Sequence, residues 1–144
     1  MQEATIKGWE AERWWAFYPG FELMANYTDI TGDNDTDDTP LADIAPRKGV
    51  IGLSYPHVPW YLTVGGRVQI VDDQERAPEG VSRTGGYTLY DIYAQWEPED
   101  GPLAGLRIDF GIDNLTDKEY QRHLAILPEA GINPKVAISY VKRW

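Results

Sequence analysis

Cysteine is absent from this chain of 144 residues, which removes disulfides, thiolate metal sites and cysteine nucleophiles together. Long hydrophobic runs are absent too: nowhere do about 18 apolar residues follow one another, the length a helix needs to cross a bilayer. Positive charge is scarce, with 13 Lys and Arg against 23 Asp and Glu and a net charge of −10. No basic stripe is available to a phosphate backbone, so nucleic acid is excluded as a partner. The opening residues Met1-Gln2-Glu3-Ala4-Thr5 lack the basic and apolar regions of a secretory signal. A chain that reaches an outer membrane needs one, so this sequence is expected to be mature or incomplete. No segment shows a helical period with caps. Catalytic residues are also missing, since Ser54, Ser82 and Ser139 have no nucleophile-elbow context and no Gly-rich phosphate loop leads into a helix. The chain is not expected to be an enzyme.

What is present is alternation. Side chains change face at every residue of a strand, and seven segments of strand length alternate apolar with polar residues. They are expected at residues 6–17, 21–28, 49–55, 60–70, 87–96, 106–115 and 135–144. In the fourth, Trp60, Leu62, Val64, Val68 and Ile70 oppose Tyr61, Thr63, Arg67 and Gln69. In the sixth, Leu106, Ile108, Phe110 and Ile112 oppose Arg107, Asp109 and Asp113. Charge on every second residue means that one face meets water. Low overall hydropathy therefore leaves a membrane β-barrel open, because only alternate residues need be apolar. The connections alternate as well, short at Tyr18 and Pro56 and moderate at Glu97, but long after Asp29, Asp72 and Thr116. Outer-membrane barrels combine short periplasmic turns with long outer loops in this way. Trp15, Tyr55, Trp60 and Trp96 then fall at the short-turn side as a periplasmic aromatic girdle, and Trp144 ends the chain on an aromatic. The fold class is all-β: an antiparallel up-and-down meander of about seven strands, part of a transmembrane barrel.

Two stretches, Gly85-Gly86-Tyr87-Thr88-Leu89-Tyr90-Asp91-Ile92-Tyr93 and Phe110-Gly111-Ile112-Asp113-Asn114-Leu115-Thr116-Asp117-Lys118-Glu119-Tyr120, resemble the C-terminal barrel of TonB-dependent outer-membrane receptors. Ala42 to Gly49 and Leu127 to Val136 resemble the haem and haemoglobin branch. Ile132 and Pro134 stand where that branch has arginine and an aromatic. The resemblance spans residues 1–144 and implies the last third of a 22-strand barrel, without its N-terminal plug or first strands. It implies the outer membrane of a Gram-negative bacterium as location. The implied partners are lipid, the remaining strands and plug, and the TonB energy-coupling complex. The implied cargo is haem or a related ferric chelate, with no stably bound cofactor. Arg67, Gln69, Asp91, Tyr93, Arg107, Asp109 and Asp113 would face the lumen.

His123 could ligate haem iron and Arg122 could pair with a propionate, with Tyr120 beside them in the same loop. An exposed loop histidine without a ligand is the simpler reading. Asp33, Asp35 and Asp37 alternate like calcium ligands but lack the glycine and bidentate glutamate of an EF-hand, so a solvated loop and no metal is expected. Arg13 shares the apolar face with Trp9 and Trp15, a costly place for a cation in lipid. The alternative to the receptor is a soluble β-barrel or sandwich that binds an apolar ligand or self-associates, with the alternating apolar positions turned into a core.

Overall fold

The computed structural model describes residues 3–141, and its strands form one antiparallel sheet. They are β1 (Ala4–Phe17), β2 (Phe21–Asn34), β3 (Thr39–Pro40), β4 (Lys48–His57), β5 (Leu62–Val71), β6 (Tyr87–Trp96), β7 (Leu106–Asp113) and β8 (Asn133–Tyr140). The order across the sheet is β1-β2-β4-β5-β6-β7-β8, and β3 clips onto the end of β2. The expected meander is present, with an eighth strand of two residues that is too short to carry any period. Because each long strand reverses the last, the connections at 18–20, 58–61 and 97–105 share one end of the sheet. Those at 35–47, 72–86 and 114–132 share the other.

Of the boundaries that differ from the sequence reading, three have a clear local reason. β2 runs on to Asn34, so Asp29 and Asp33 belong to a strand rather than to an acidic loop. Backbone pairing from Trp9↔Asp29 to Ala4↔Asn34 holds this extension, which does not depend on hydropathic alternation. Trp60 lies in a 3-10 turn, Val58–Trp60, rather than at the head of β5. Pro59 has no N–H to give a ladder, and Tyr61 adopts φ 52, so pairing resumes only at Leu62. β7 stops at Asp113 because Asn114 turns into the left-handed region at φ 50, a conformation asparagine tolerates.

The register sorts the side chains into two faces. Tyr27, Ile51, Leu53, Tyr55, Val64, Val68, Ile92, Ala94, Phe110, Ile108, Val136 and Ile138 share one. Trp9, Arg13 and Trp15 join it through their partners Asp29, Ala25 and Leu23. This face is uncovered: Trp9 is 58% exposed, Ile51 52% and Ile138 68%. The only buried hydrophobic residues among those described are Val71 and Leu89. A soluble sandwich would lay a second sheet over the apolar stripe, as burial of that much aliphatic and aromatic surface is its main driving force. No second layer is found among the described residues, so they do not close a sandwich among themselves.

The long-connection end has local order of its own. Gly32 lies under Leu41 and Ile44, and a Cβ there would come within 2.7 Å of Ile44 Cδ1 and 2.9 Å of Leu41 Cδ1. Gln74 Nε2 donates to the Ile44 carbonyl at 2.6 Å, and Arg76 pairs with Asp33 at 2.7 Å. Asp35 accepts from Thr5 Oγ1 at 2.5 Å, and Asp37 from Asn34 Nδ2 at 3.0 Å. The three alternating aspartates thus turn to three different partners, Arg76, Thr5 and Asn34. No group of three potential metal ligands gathers among the described residues.

Candidate functional site: the polar face and the outer loops

Arg67, Gln69, Asp91, Tyr93, Arg107, Asp109 and Asp113 all lie on the face opposite the apolar stripe, joined through the pairs Arg67↔Asp91, Gln69↔Leu89, Gly65↔Tyr93 and Gln95↔Asp109. They do not converge on one point. Arg107 is held at the short-turn end by Asp109, at 2.8 and 2.9 Å, with Glu97 at 3.7 Å. Asp113 pairs with Lys135 at the other end. Tyr93 folds across Gly65, where a Cβ would run into its ring.

Asp91 is the best-connected of these residues. One carboxylate oxygen accepts from Arg67 Nε at 2.6 Å and the other from the backbone N–H of Asn114 at 2.8 Å. Asn114 is buried, and its side chain closes a short ring with Lys118: Nδ2 donates to the Lys118 carbonyl and Oδ1 accepts from its N–H, both at 2.8 Å. Asp117 then accepts from the Ile132 N–H at 2.8 Å. Tyr120 lies against Tyr87, ring centroids 4.4 Å apart. The Asn-Leu-Thr-Asp-Lys-x-Tyr run thereby fastens the two ends of the last long connection to the top of β6. Its role here is to fix a loop, a reading the motif alone does not disclose.

Residues 1–115 match the family model described as TonB dependent receptor-like, beta-barrel. The chain belongs to this family. Among curated relatives, the heme/hemopexin utilization protein C of Haemophilus influenzae is 33% identical over 119 residues, covering 82% of this chain and 16% of that protein. The TonB-dependent heme receptor A of Haemophilus ducreyi is 34% identical over 110 residues, covering 69% of this chain and 14% of the relative. The chain therefore spans about one sixth of the length of the curated relatives it matches. Among solved structures, the copper transporter OprC superposes with a TM-score of 0.86 at 21% identity, over 95% of this chain and 24% of that one. At that identity the likeness speaks for the fold. These relatives and neighbours are transport receptors, not enzymes.

Within this TonB-dependent receptor segment, each of the three ligand candidates of the last loop is already engaged by a different partner. Tyr120 stacks on Tyr87, and its phenol is pushed above the usual range, chiefly by desolvation and then by Glu129, with Arg122 opposing. Coordination of iron needs the phenolate, the form this setting disfavours. Arg122 donates to Glu129 at 2.6 Å, and that bond holds its guanidinium above the usual arginine range. A propionate would have to displace a carboxylate already in place.

His123 has both ring nitrogens engaged. Nε2 lies 2.9 Å from the Ala42 carbonyl and Nδ1 3.2 Å from Thr84 Oγ1. A carbonyl can only accept, so Nε2 carries the proton, and Nδ1 takes the Thr84 hydroxyl proton when the ring is neutral. In this arrangement His123 ties all three long connections together and has no lone pair free for a metal. His123→Ala is expected to loosen the loops and leave the barrel intact. Limited proteolysis should cut faster within 35–47 and 72–86, while the strands keep their protection; unchanged loop cleavage would refute the tie.

A run of neighbouring rings follows the short-connection end of the sheet. Trp15 and Phe17 lie 5.3 Å apart, Phe17 and Phe21 5.9 Å, Phe21 and Tyr55 4.7 Å, Tyr55 and His57 6.0 Å, and His57 and Trp60 4.8 Å. Of the expected members, Trp15, Tyr55 and Trp60 belong to this chain of rings, and Trp96 stands in register with Leu62 on the same face. Phe17, Phe21 and His57 were not anticipated; their closeness to the Tyr18 and Pro56 turns was the available signal. Trp144 lies outside the described residues.

Proposed function

We propose that residues 1–144 are the C-terminal part of the barrel of an outer-membrane receptor that imports haem or a related iron chelate in a Gram-negative bacterium. The carrying observation is the single-layer sheet whose apolar face is uncovered and whose outer strands β1 and β8 each have one free edge. Lipid accepts such a face but not an open edge, so further strands must complete the ring. The haem reading is supported by relatives named for heme use at about one third identity. In the assembled receptor, Arg67, Gln69, Asp91, Tyr93, Arg107, Asp109 and Asp113 line the lumen beside a plug. The connections at 35–47, 72–86 and 114–132 lie outside, and the girdle of Trp15, Tyr55, Trp60 and Trp96 marks the periplasmic interface. The TonB complex supplies the energy through the plug. The chelate is cargo that passes without covalent chemistry, and no cofactor resides.

Iron-starved cells carrying or lacking the receptor that contains this chain, with haem as sole iron source, test the reading. Growth only with the receptor is expected, and equal growth without it would overturn the haem assignment. Residues 1–144 expressed alone are expected to aggregate in water and disperse on adding detergent. A soluble, monodisperse, β-rich particle would instead favour a self-contained binding module.

A further inference from the structure

Arg67 differs from Arg107, the other arginine of the polar face, in how much of its guanidinium is engaged. Arg107 sits between Asp109 and Glu97, and Lys135 on Asp113. Arg67 has one acidic partner, Asp91, whose second oxygen is committed to the Asn114 N–H. Only Nε of Arg67 is used, its side chain is half exposed, and the Nη groups of the guanidinium make no hydrogen bond among the described residues. Across the strand stands Gly52, where a Cβ would lie 3.7 Å from Arg67 Cβ and 3.6 Å from Met24 Cε, and two residues along the Tyr93 ring covers Gly65. Gln69 follows on the same face, and beyond it Val71, in register with Lys48 at the long-connection end. Lys48 is exposed and has no ion pair among the described residues. From Lys48 past Gln69 to Arg67, the polar face therefore offers an ammonium without an ion pair among the described residues, an amide, and a guanidinium with its Nη edge unengaged, in line from the outer rim toward mid-strand.

We infer that Lys48, Gln69 and Arg67 form an anion-accepting track for the carboxylate groups of the transported chelate, with Asp91 as the residue that positions Arg67. This rests on the reading of the polar face as the lumen. The guanidinium suits the task because its Nη edge can accept a carboxylate as a fork while Nε stays anchored to Asp91. Gly52, opposite it on β4, carries no side chain to compete for that edge. Lys48 at the rim would meet the anion first and Arg67 would receive it at depth.

The test is uptake through the receptor that carries this chain, with haem and its uncharged dimethyl ester as paired probes and surface expression measured in parallel. Arg67→Gln is expected to slow haem uptake about tenfold, the value of one charge-assisted hydrogen bond, and to leave ester uptake nearly unchanged. Lys48→Gln is expected to act in the same direction with a smaller effect, and to show it chiefly at low ionic strength. Equal uptake of haem by wild type and Arg67→Gln would overturn the track. So would an equal loss of haem and ester at normal surface expression, which would assign Arg67 to plug contact or barrel integrity. If the unaltered receptor imports neither probe, the function proposed above fails, and the track fails with it.

Discussion

Asp91→Ala is expected to destabilise the barrel by about 3 kcal/mol, the lower end of the cost of removing one partner from a buried ion pair. The lower end applies because Arg67, the stranded cation, is half exposed and partly rescued by water. The larger share comes from the other oxygen. Asn114 is only 3% exposed, and its N–H would lose its acceptor with no water at hand, a loss of about 1–3 kcal/mol. Asp91→Asn separates the two contributions, since an amide oxygen can still accept from Asn114 while the charge for Arg67 disappears. It is expected to cost about half as much. Denaturant unfolding of the receptor in detergent micelles reads both, and proteolysis of the 114–132 connection should rise in the alanine variant more than in the asparagine one. A stability of Asp91→Ala within about 0.5 kcal/mol of wild type, the range of an ordinary surface change, would show that the network does not hold the loop.

Gly65→Val should rank second. A Cβ at Gly65 would stand 2.8 Å from the Leu53 carbonyl oxygen and inside the Tyr93 ring. The ring can swing away, but the carbonyl belongs to the paired strand β4 and cannot move without opening the ladder. Overpacking of this kind costs about 1–3 kcal/mol, and the backbone contact places Gly65→Val toward the upper figure. Combining it with Tyr93→Ala removes one of the two collisions, so the double variant is expected to recover part of the loss but not all. Full recovery would place the whole cost on the ring; no loss in Gly65→Val would mean that β4 and β5 are not packed as closely as described. A glycine here also explains the face it serves, because Tyr93 shields the backbone that the missing side chain leaves bare.

Much of the fold was legible because alternation is a local property. Val64, Val68 and Ile70 against Arg67 and Gln69 assign faces without any knowledge of partners, and the register confirms them. Connection lengths were legible for the same reason. The extension of β2 to Asn34 was not, because Ile30, Gly32 and Asn34 alternate with Asp29, Thr31 and Asp33 in no hydropathic order. Only pairing with β1 holds them extended. Trp60 misled in the opposite sense: its parity fitted the strand, but Pro59 had already removed a donor that pairing would need.

The candidate residues divide in a similar way. Arg67, Asp91, Arg107 and Asp109 were found as polar positions in alternating strands; Arg107 and Asp109, two residues apart on one face, are neighbours by spacing, but the pairing of Arg67 with Asp91 could not be read that way. Arg67 and Asp91 are 24 residues apart and meet only across β5 and β6. His123 drew attention as a possible iron ligand because imidazole is chemically suited to it. Its partners Ala42 and Thr84 are 81 and 39 residues away, and only the meeting of three connections shows both nitrogens occupied.

The sequence by itself determined that this is a one-sheet β meander with one apolar face, long connections at one end and short ones at the other. Period and connection length are written along the chain and need no partner to be read. The tertiary structure alone decided which carboxylate holds which cation, that Asp91 fastens the last outer loop, and that Arg67 is left with its Nη edge unengaged. Those outcomes depend on register between strands distant in sequence, where a shift of one residue would turn every side chain to the other face.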